Sequence, residues 1–219
     1  MPTRASTWFY DMDKTSILRY SENIPTSWDM LIEVAGLQEV GRKLWERYHP
    51  FPDQYSTWIG ELTSHCKGRE AKPLQDAVIA ATQIRPGLGK LVQYIRDGNP
   101  AAKQGILTAG LDFVAEYVTR EVGFDFHEGI VLKVDENGRF SGEFDLNVSE
   151  TDKVKPAQKH LVGTWADAAH TGDGRSDLSI WEKVGHAYGI DAPGEYQGYI
   201  DENFPDFRHL RAYLQRTRK

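Results

Sequence analysis

The stretch Thr7–Thr15, which reads TWFYDMDKT, decides the fold class of this 219-residue chain. Its first half is a short aromatic run of strand-forming residues that ends abruptly at Asp11. In an extended chain, side chains two residues apart project to the same side, so Asp11 and Asp13 are predicted to lie together. One carboxylate can then attack or hold a cation, while its neighbour, with a pKa raised by the nearby like charge, carries a proton.

The chain beyond this stretch divides into two regions with different patterns. From residue 26 to about residue 82, apolar residues recur at helix spacing, and prolines and a glycine divide the block into about four helices. From Arg85 onward, strand and helix patterns alternate, which predicts a mainly parallel sheet covered on both faces. The helical block is too long for a loop, so we interpret residues 17–84 as an inserted cap.

The alternating region contains the elements that carry the next motifs. Residues 105–108 form a predicted buried strand, and residues 130–145 form a predicted hairpin with its turn near Asn137 and Gly138. Pro156 is a natural first-turn residue and predicts another helix.

Two strand ends in this region carry small polar motifs. At the first, the Thr108 hydroxyl precedes Ala109 and Gly110, whose backbone amides can approach a phosphate closely ahead of a helix. At the second, the loop Gly172–Asp177, which reads GDGRSD, places acidic oxygens between glycines, and such a loop suits a hard cation. Each segment alone is also typical of an ordinary turn.

A lysine at the start of the helix predicted near Pro156 is the remaining candidate. Lys153, Lys155 and Lys159 all lie there. A positive charge at this place can neutralise a phosphate and an attacking carboxylate. A single lysine is more often solvated surface, so this residue matters only together with the other motifs.

The order and context of these motifs resemble the haloacid dehalogenase superfamily, specifically its phosphoserine-phosphatase-like branch. The family pattern is a strand followed by Asp-x-Asp-x-Thr, a strand followed by Thr or Ser, a lysine, and Gly-Asp-Gly-x-x-Asp. Besides a lysine, the matching residues are Asp11, Asp13, Thr15, Thr108, Asp173 and Asp177. The resemblance covers nearly the whole chain, including the helical block and the hairpin.

The resemblance implies an α/β fold and an activity. The fold is a Rossmann-like three-layer αβα core with a parallel sheet, formed by residues 1–16 and 85–219, and a helical cap, residues 17–84, inserted after the first strand. The activity is that of a Mg²⁺-dependent phosphatase hydrolysing a small phosphomonoester through an aspartyl-phosphate intermediate. One alternative is a phosphotransferase that uses the same phospho-aspartate, since only the acceptor differs. Another is a non-catalytic phosphate-binding or regulatory protein on the same scaffold.

The resemblance also assigns roles at the first two strand ends. Asp11 is the expected nucleophile and a Mg²⁺ ligand. Asp13 is expected to protonate the leaving oxygen and then activate water, while its backbone carbonyl binds the metal. Thr108 and the amides near Ala109 and Gly110 are expected to hold the phosphoryl oxygens. Phosphoryl transfer needs this positioning and charge neutralisation more than elaborate covalent chemistry.

The remaining assignments lie after the hairpin. Lys155 is the preferred catalytic lysine because it immediately precedes Pro156, and Lys153 is the alternative. Asp173 is expected to ligate Mg²⁺ and Asp177 to orient the metal shell. The expected metal set is Asp11, Asp13, Asp173 and Asp177. The expected substrate-binding residues are Lys14, Thr15, Ala109, Gly110 and Arg175.

Departures from the family pattern concern the substrate rather than the chemistry. Lys14 stands where phosphoserine phosphatases typically carry serine, and Ser176 replaces the asparagine of the acidic loop. The family's substrate-binding glutamate falls on Tyr20, and its cap arginine falls near Gly60. Burying a substrate carboxylate without a cation is costly because its desolvation is not compensated. We therefore expect a preferred substrate other than phosphoserine.

Composition narrows the partners and the location. The formal charge of −6 disfavours nucleic acid, whose polyanionic backbone requires a basic face, and leaves a small phosphorylated metabolite as the expected partner. Cys66 is the single cysteine, so a reducing compartment fits best. No apolar segment reaches the roughly 20 residues that span a bilayer. We expect a cytoplasmic protein with no membrane partner, and the sequence leaves the oligomeric state open.

Overall fold

The computed structural model describes residues 5–217, and this part of the chain folds into one sheet with helices around it. The strands are β1 (Thr7–Tyr10), β2 (Lys103–Leu111), β3 (Phe126–Val134), β4 (Phe140–Leu146), β5 (Ala168–Gly172), β6 (His186–Ile190) and β7 (Glu202–Phe204). The helices are α1 (Ser27–Val34), α2 (Gln38–Tyr48), α3 (Tyr55–Cys66), α4 (Ala71–Ala81), α5 (Leu88–Gly98), α6 (Asp112–Val122), α7 (Val154–Gln158), α8 (Leu178–Trp181) and α9 (Phe207–Thr217).

Strand β1 lies at the centre of the sheet, where the strand order reverses. Within residues 5–217 the sheet has seven strands in the order β4-β3-β2-β1-β5-β6-β7. Neighbouring strands pair in parallel except for β3 and β4, which form the antiparallel hairpin. Because β2 and β5 flank β1 on opposite sides, a ligand site is expected beyond the carboxyl ends of these strands. The predicted mainly parallel α/β sheet is confirmed.

The aromatic composition of β1 follows from burial on both faces. Trp8, Phe9 and Tyr10 are each fully buried. The Tyr10 ring lies 6.2 Å from that of Phe207 in α9, while Phe9 on the opposite face contacts Phe126 at 5.9 Å between ring centroids. A central parallel strand therefore reads as a continuous apolar run rather than as an alternating one.

The helices α1–α4 form a block that leaves the core and returns to it at one place. Ile17 and Ile84 pair as an antiparallel bridge, and the Leu18 amide donates to the Gln83 carbonyl over 2.8 Å. The two connections therefore run side by side between β1 and α5. We propose that this block is the cap inserted after the first strand, with residues 5–16 and 85–217 as the core.

The hairpin β3–β4 packs against the cap helices. At its tip, the Gly68 amide donates to the Phe140 carbonyl over 2.8 Å, and the Phe140 amide donates to the Arg69 carbonyl over 3.0 Å. Phe140 is only 2% exposed, and Phe144 packs into the same apolar cluster. The sequence-based cap of residues 17–84 therefore omits a hairpin that packs with it.

The carboxyl-terminal strands were not predicted from the sequence. β6 contains histidine and two small residues, and β7 is a three-residue edge strand with mostly exposed side chains. Their places are set by packing, as in the contact between the rings of Tyr188 and Phe204 at 6.1 Å. Short edge strands carry little alternation, so their sequence pattern is weak.

Other elements agree with the sequence-based expectations. α7 begins at Val154 and holds Pro156 in its first turn. Cys66 is buried at the end of α3. Among the helices of residues 5–217, none has the length and apolar character needed to cross a lipid bilayer.

Candidate active site

Three strand ends bring the predicted motifs to one edge of the sheet. Tyr10 pairs with Ile106 of β2 and with Thr171 of β5, so the residues that follow them lie level with one another. The Asp11 amide donates to the Thr171 carbonyl over 2.8 Å. Asp11, Thr108 and Asp173, the key residues of the three motifs, are all buried there. The order reversal at β1 thus places the first, second and last motifs side by side.

Asp11, Asp173 and Asp177 form a group that we call the carboxylate cluster. Each offers one oxygen, and these oxygens lie within 4.8 Å of one another. The second oxygen of Asp177 accepts the amides of Asp173 (3.0 Å) and Gly174 (3.1 Å), so this residue shapes the loop. A Cβ at Gly172 would lie 2.2 Å from Asp177 Oδ2, which explains the glycine. An all-oxygen donor set fits a hard cation such as Mg²⁺.

Lys153, rather than Lys155, is the lysine that contacts the carboxylate cluster. Its Nζ lies 2.5 Å from Asp11 Oδ1 and 2.6 Å from Asp177 Oδ1, and its side chain is fully buried. Burial lowers the pKa of Lys153, but the carboxylates of Asp11 and Asp177 together raise it above its usual value. Lys155 is exposed. These contacts favour the alternative residue, Lys153, over the preferred Lys155 for the place of the catalytic lysine.

The reason for this difference is the position at which α7 begins. Asp152 Oδ1 accepts the amides of Val154 (2.9 Å) and Lys155 (3.1 Å), so the Asp152 side chain satisfies the first free amides of the turn. Lys153 then lies just before the helix and turns inward, whereas Lys155 is already on the outer face of α7. Asp152 is the residue in the sequence that indicates where the helix starts. The prediction relied on Pro156 instead and therefore favoured Lys155.

Burial also acts on the nucleophile candidate. It raises the pKa of Asp11, and the ammonium group of Lys153 opposes that change. His170 in β5 lies close by, with its Nε2 3.5 Å from Asp177 Oδ1. Burial holds the pKa of His170 well below its usual value, so its ring is neutral beside the Lys153 ammonium.

Asp13 points away from the carboxylate cluster and towards α1. Its Oδ1 accepts the Ser27 amide over 2.7 Å, and its Oδ2 accepts the Ser27 hydroxyl over 2.8 Å. Burial raises the pKa of Asp13 to about 7 against the opposing effect of these hydrogen bonds. Sequence reasoning missed Ser27, although the capping box formed by Thr26 and Asp29 marks the start of α1.

The second motif meets the cap directly. The Ala109 carbonyl accepts the indole N–H of Trp28 over 3.0 Å and also the hydroxyl of Tyr55. The Gly110 amide donates to the Thr108 hydroxyl over 2.8 Å. We call the pairs Asp13–Ser27 and Ala109–Trp28 the cap contact. It joins α1 to the ends of both β1 and β2.

Gly110 has no room for a side chain at this contact. A Cβ there would lie 2.5 Å from Asp13 Oδ2 and 2.8 Å from Ser27 Oγ. Such distances are shorter than real carbon contacts, so another residue would push the carboxylate or the serine aside. The small residues after Thr108 therefore permit the close approach of the cap.

Lys14 occupies a different place from the one expected of a substrate-binding residue. Its Nζ lies 2.5 Å from Asp173 Oδ2, on the residue predicted to bind the metal. Thr15 is buried next to it, with its hydroxyl 3.5 Å from Asp173 Oδ1. The Lys14 backbone has a φ of 59°, a left-handed conformation that is uncommon outside glycine.

Arg85 supports this left-handed turn from the far side of the cap insertion. Its Nε donates to the Thr15 carbonyl over 2.8 Å, and its guanidinium also donates to the Lys14 carbonyl. Sequence reasoning missed Arg85, which stands where the chain returns from the cap. Arg175, by contrast, is exposed on the turn Arg175–Asp177, so the structure does not bring it into the buried group.

The two cap positions at which the resemblance implies substrate recognition serve packing here. The Tyr20 hydroxyl lies 2.8 Å from the Thr82 hydroxyl. A Cβ at Gly60 would meet the Phe144 ring at 3.7 Å, so this position faces the hairpin. Neither residue supplies a charge to the site.

The fold and the arrangement of the strand ends place the chain in a structural class of proteins. The chain has the fold of the haloacid dehalogenase hydrolases, in the form found in phosphoserine phosphatases, and the predicted resemblance is confirmed. No family model matches the chain. A phosphoserine phosphatase of Saccharomyces cerevisiae is 24% identical over 134 residues, which are 61% of this chain and 41% of the yeast protein. The chain thus spans less than half the length of that relative.

Solved structures match over nearly the whole chain. A phosphoserine phosphatase in apo form has a TM-score of 0.76 at 17% identity, covering 95% of this chain and 98% of its own. A phospho-aspartyl intermediate analogue of phosphoserine phosphatase has a TM-score of 0.76 at 17% identity, covering 96% and 99%. An HAD family hydrolase from Salmonella enterica serovar Typhi has a TM-score of 0.71 at 18% identity, covering 90% and 66%. At these identities the likeness establishes the fold.

Proposed function

We propose that this protein is a Mg²⁺-dependent phosphatase that hydrolyses a small phosphomonoester through a phosphorylated Asp11. The observation that carries the proposal is Lys153, whose buried ammonium group lies 2.5 Å from Asp11 and 2.6 Å from Asp177. Such a group stabilises negative charge on the attacking carboxylate and on a phosphoryl group that reaches it. Similarity to phosphoserine phosphatases, including a structure of a phospho-aspartyl intermediate analogue, supports the same chemistry.

In the first step, an oxygen of Asp11 attacks phosphorus, and the bond from phosphorus to the leaving oxygen breaks. Asp13 gives its proton to that oxygen, so a neutral alcohol departs. A pKa of about 7 leaves Asp13 partly protonated near neutral pH, which suits a general acid. Thr108 and the backbone amides beside it hold the phosphoryl oxygens during the transfer.

In the second step, a water molecule attacks phosphorus, and the bond between phosphorus and the Asp11 oxygen breaks. The carboxylate of Asp13 takes the proton that the water loses, so both aspartates return to their starting states and inorganic phosphate leaves. Before the transfer, the carboxylates of Asp11 and Asp177 raise the pKa of Lys153 against burial. Its charge is therefore in place before the first transition state forms.

The residues that would hold Mg²⁺ are Asp11, Asp173 and the backbone carbonyl of Asp13, with Asp177 orienting the loop. The ion, when bound, supplies further neutralisation of the phosphoryl charge. The oxygen-only donor set and its burial support this assignment.

We propose further that phosphoserine is not the preferred substrate. The family's cap arginine and substrate-binding glutamate fall near Gly60 and on Tyr20, and neither of these residues supplies a charge. A substrate carboxylate buried at the arginine position lacks the cation that compensates its desolvation. The substrate is then a phosphomonoester whose other end is uncharged or reaches solvent.

The test is phosphate release from a panel of sugar, polyol, nucleotide and amino-acid monophosphates, with Mg²⁺ and with Asp11→Asn as the control. Release by the wild type alone, abolished by excess chelator, is the expected result. Phosphoserine at the top of the kcat/KM ranking would contradict the substrate proposal. Formation of phospho-enzyme that discharges only to an added alcohol would indicate the phosphotransferase, and absence of both would indicate a non-catalytic protein.

A further inference from the structure

Ser27 is a cap residue with contacts in two motifs of the core. It is fully buried at the first position of α1. Its amide and hydroxyl donate to the two oxygens of Asp13 over 2.7 Å and 2.8 Å. Its hydroxyl oxygen also accepts the Leu111 amide at the end of β2 over 3.3 Å. One side chain therefore joins the first motif, the second motif and the cap.

From these contacts we infer that Ser27 is the positioning residue for Asp13, so that proton transfer to the leaving group depends on docking of α1 onto the core. The inference rests on the proposed phosphatase function. It assigns a task to the cap beyond enclosing the substrate, because the cap supplies the donors that orient an acid belonging to the core.

The two oxygens of Asp13 are held differently from those of its neighbour in the motif. Asp11 is paired with the Lys153 ammonium at 2.5 Å. For Asp13, the partners are the Ser27 amide at 2.7 Å and the Ser27 hydroxyl at 2.8 Å, and both are uncharged. A carboxylate held by an amide and a hydroxyl keeps a fixed orientation, and either oxygen remains able to carry a proton.

The backbone of Gly110 lies directly against this pair. A Cβ at Gly110 would approach both Asp13 Oδ2 and Ser27 Oγ to less than 3.0 Å. The indole of Trp28, the next residue in α1, donates to the Ala109 carbonyl over 3.0 Å and fixes the same turn. Loss of the Ser27 hydroxyl therefore frees Asp13 to rotate, and a misplacement of about 1 Å costs up to roughly 10²-fold in rate.

The experiment separates proton donation from all other steps. It compares kcat/KM for an alkyl phosphate, whose leaving group needs a proton, with kcat/KM for p-nitrophenyl phosphate, whose leaving group does not. The parameter kcat/KM reports transfer to Asp11 and excludes the later hydrolysis step. Ser27→Ala is expected to lower the alkyl value by about tenfold or more and to change the aryl value little.

The matched control is Ser64→Ala, which removes another serine hydroxyl from a cap helix. Ser64 is exposed and donates to the Glu61 carbonyl over 2.6 Å, away from Asp13. This variant is expected to keep the wild-type ratio of alkyl to aryl activity. Thermal unfolding of both variants shows whether either protein has lost its fold.

A double variant tests whether Ser27 acts through Asp13. In an Asp13→Asn background, Ser27→Ala is expected to cause no further loss with the alkyl substrate. Equal losses for both substrates, or a full additional loss in the double variant, would overturn the inference while leaving the phosphatase proposal intact. An inactive wild type would overturn the phosphatase proposal itself, and the proton-transfer role with it.

Discussion

The carboxylate cluster and the cap contact hold neighbouring aspartates by opposite means. In the cluster, full positive charges from Lys153 and Lys14 pair with the carboxylates, and both lysines belong to the core. At the cap contact, the amide and hydroxyl of Ser27, which are uncharged donors, hold Asp13. Residues two apart in the chain therefore have different surroundings: Asp11 faces cations, whereas Asp13 faces uncharged donors and burial raises its pKa to about 7.

The largest expected effect lies in the cluster. Asp11→Asn removes the attacking oxygen, so neither product nor phospho-enzyme should form with any substrate. Rapid-quench labelling with a ³²P-phosphomonoester measures both. A labelled protein intermediate in this variant would show that another residue is the nucleophile. The contrast between the carboxylate cluster and the cap contact would then no longer explain the roles of Asp11 and Asp13.

The next effect lies at the cap contact and depends on the substrate. Asp13→Asn keeps the nucleophile but loses the proton, so kcat/KM for alkyl phosphates should fall by roughly 10²–10⁴-fold. For aryl phosphates the fall should be much smaller. Equal falls would remove Asp13 from the acid role.

Lys153 tests the cationic side of the comparison. Lys153→Met should lower kcat/KM by roughly 10²–10³-fold for alkyl and aryl substrates alike, because it removes charge rather than a proton. It should also destabilise the fold, since two buried carboxylates lose their partner. Lys155→Met should leave both properties unchanged, as Lys155 is exposed. The opposite ranking of the two lysines would refute the assignment of Lys153.

Some of the residues in these tests could be predicted from the sequence, and others could not. Asp11, Asp13, Thr108 and Asp173 were found because each follows a strand within a short motif, and parallel strands end at one edge. The nearly parallel sheet followed from the same alternation of elements. The preferred lysine, Lys155, lies two residues beyond Lys153 because the start of α7 depends on the Asp152 side chain.

The residues of the cap contact could not be found in this way. Ser27 and Trp28 reach the site only through the packing of α1 on the core, and no local pattern records which core residue a helix start will meet. Arg85 likewise contacts the first motif from far along the chain. The strands β6 and β7 were not predicted for a related reason. Tertiary contacts, rather than an alternation of apolar and polar residues, determine where they form.

A smaller effect concerns Lys14, which lies 2.5 Å from Asp173. Because its ammonium competes with a metal ion for this carboxylate, Lys14→Met should tighten Mg²⁺ binding by about fivefold, the equivalent of about 1 kcal/mol. Isothermal titration calorimetry of metal-free protein measures the change without reference to turnover. Weaker binding would show that Lys14 supports the metal site instead.

The smallest expected effect lies in the cap contact again. Trp28→Phe removes the indole N–H from the Ala109 carbonyl and should lower the free energy of unfolding by about 1 kcal/mol, or the Tm by about 2–4 °C. Trp45→Phe is the matched control, since that indole is 56% exposed on the cap surface. Equal decreases in Tm for the two variants would show that the hydrogen bond of the Trp28 indole does not stabilise the cap contact.

The bridge between Ile17 and Ile84 makes the cap a removable module in terms of chain topology. A short linker between these neighbouring positions could replace the insertion without rethreading the sheet. Excision would nevertheless expose more of Phe140, which is buried, and of Phe144, which is half-buried, because the hairpin that carries both packs against α3. Cap exchange between proteins of this fold should therefore move the hairpin together with the insertion, because two segments distant in sequence form one transplantable part.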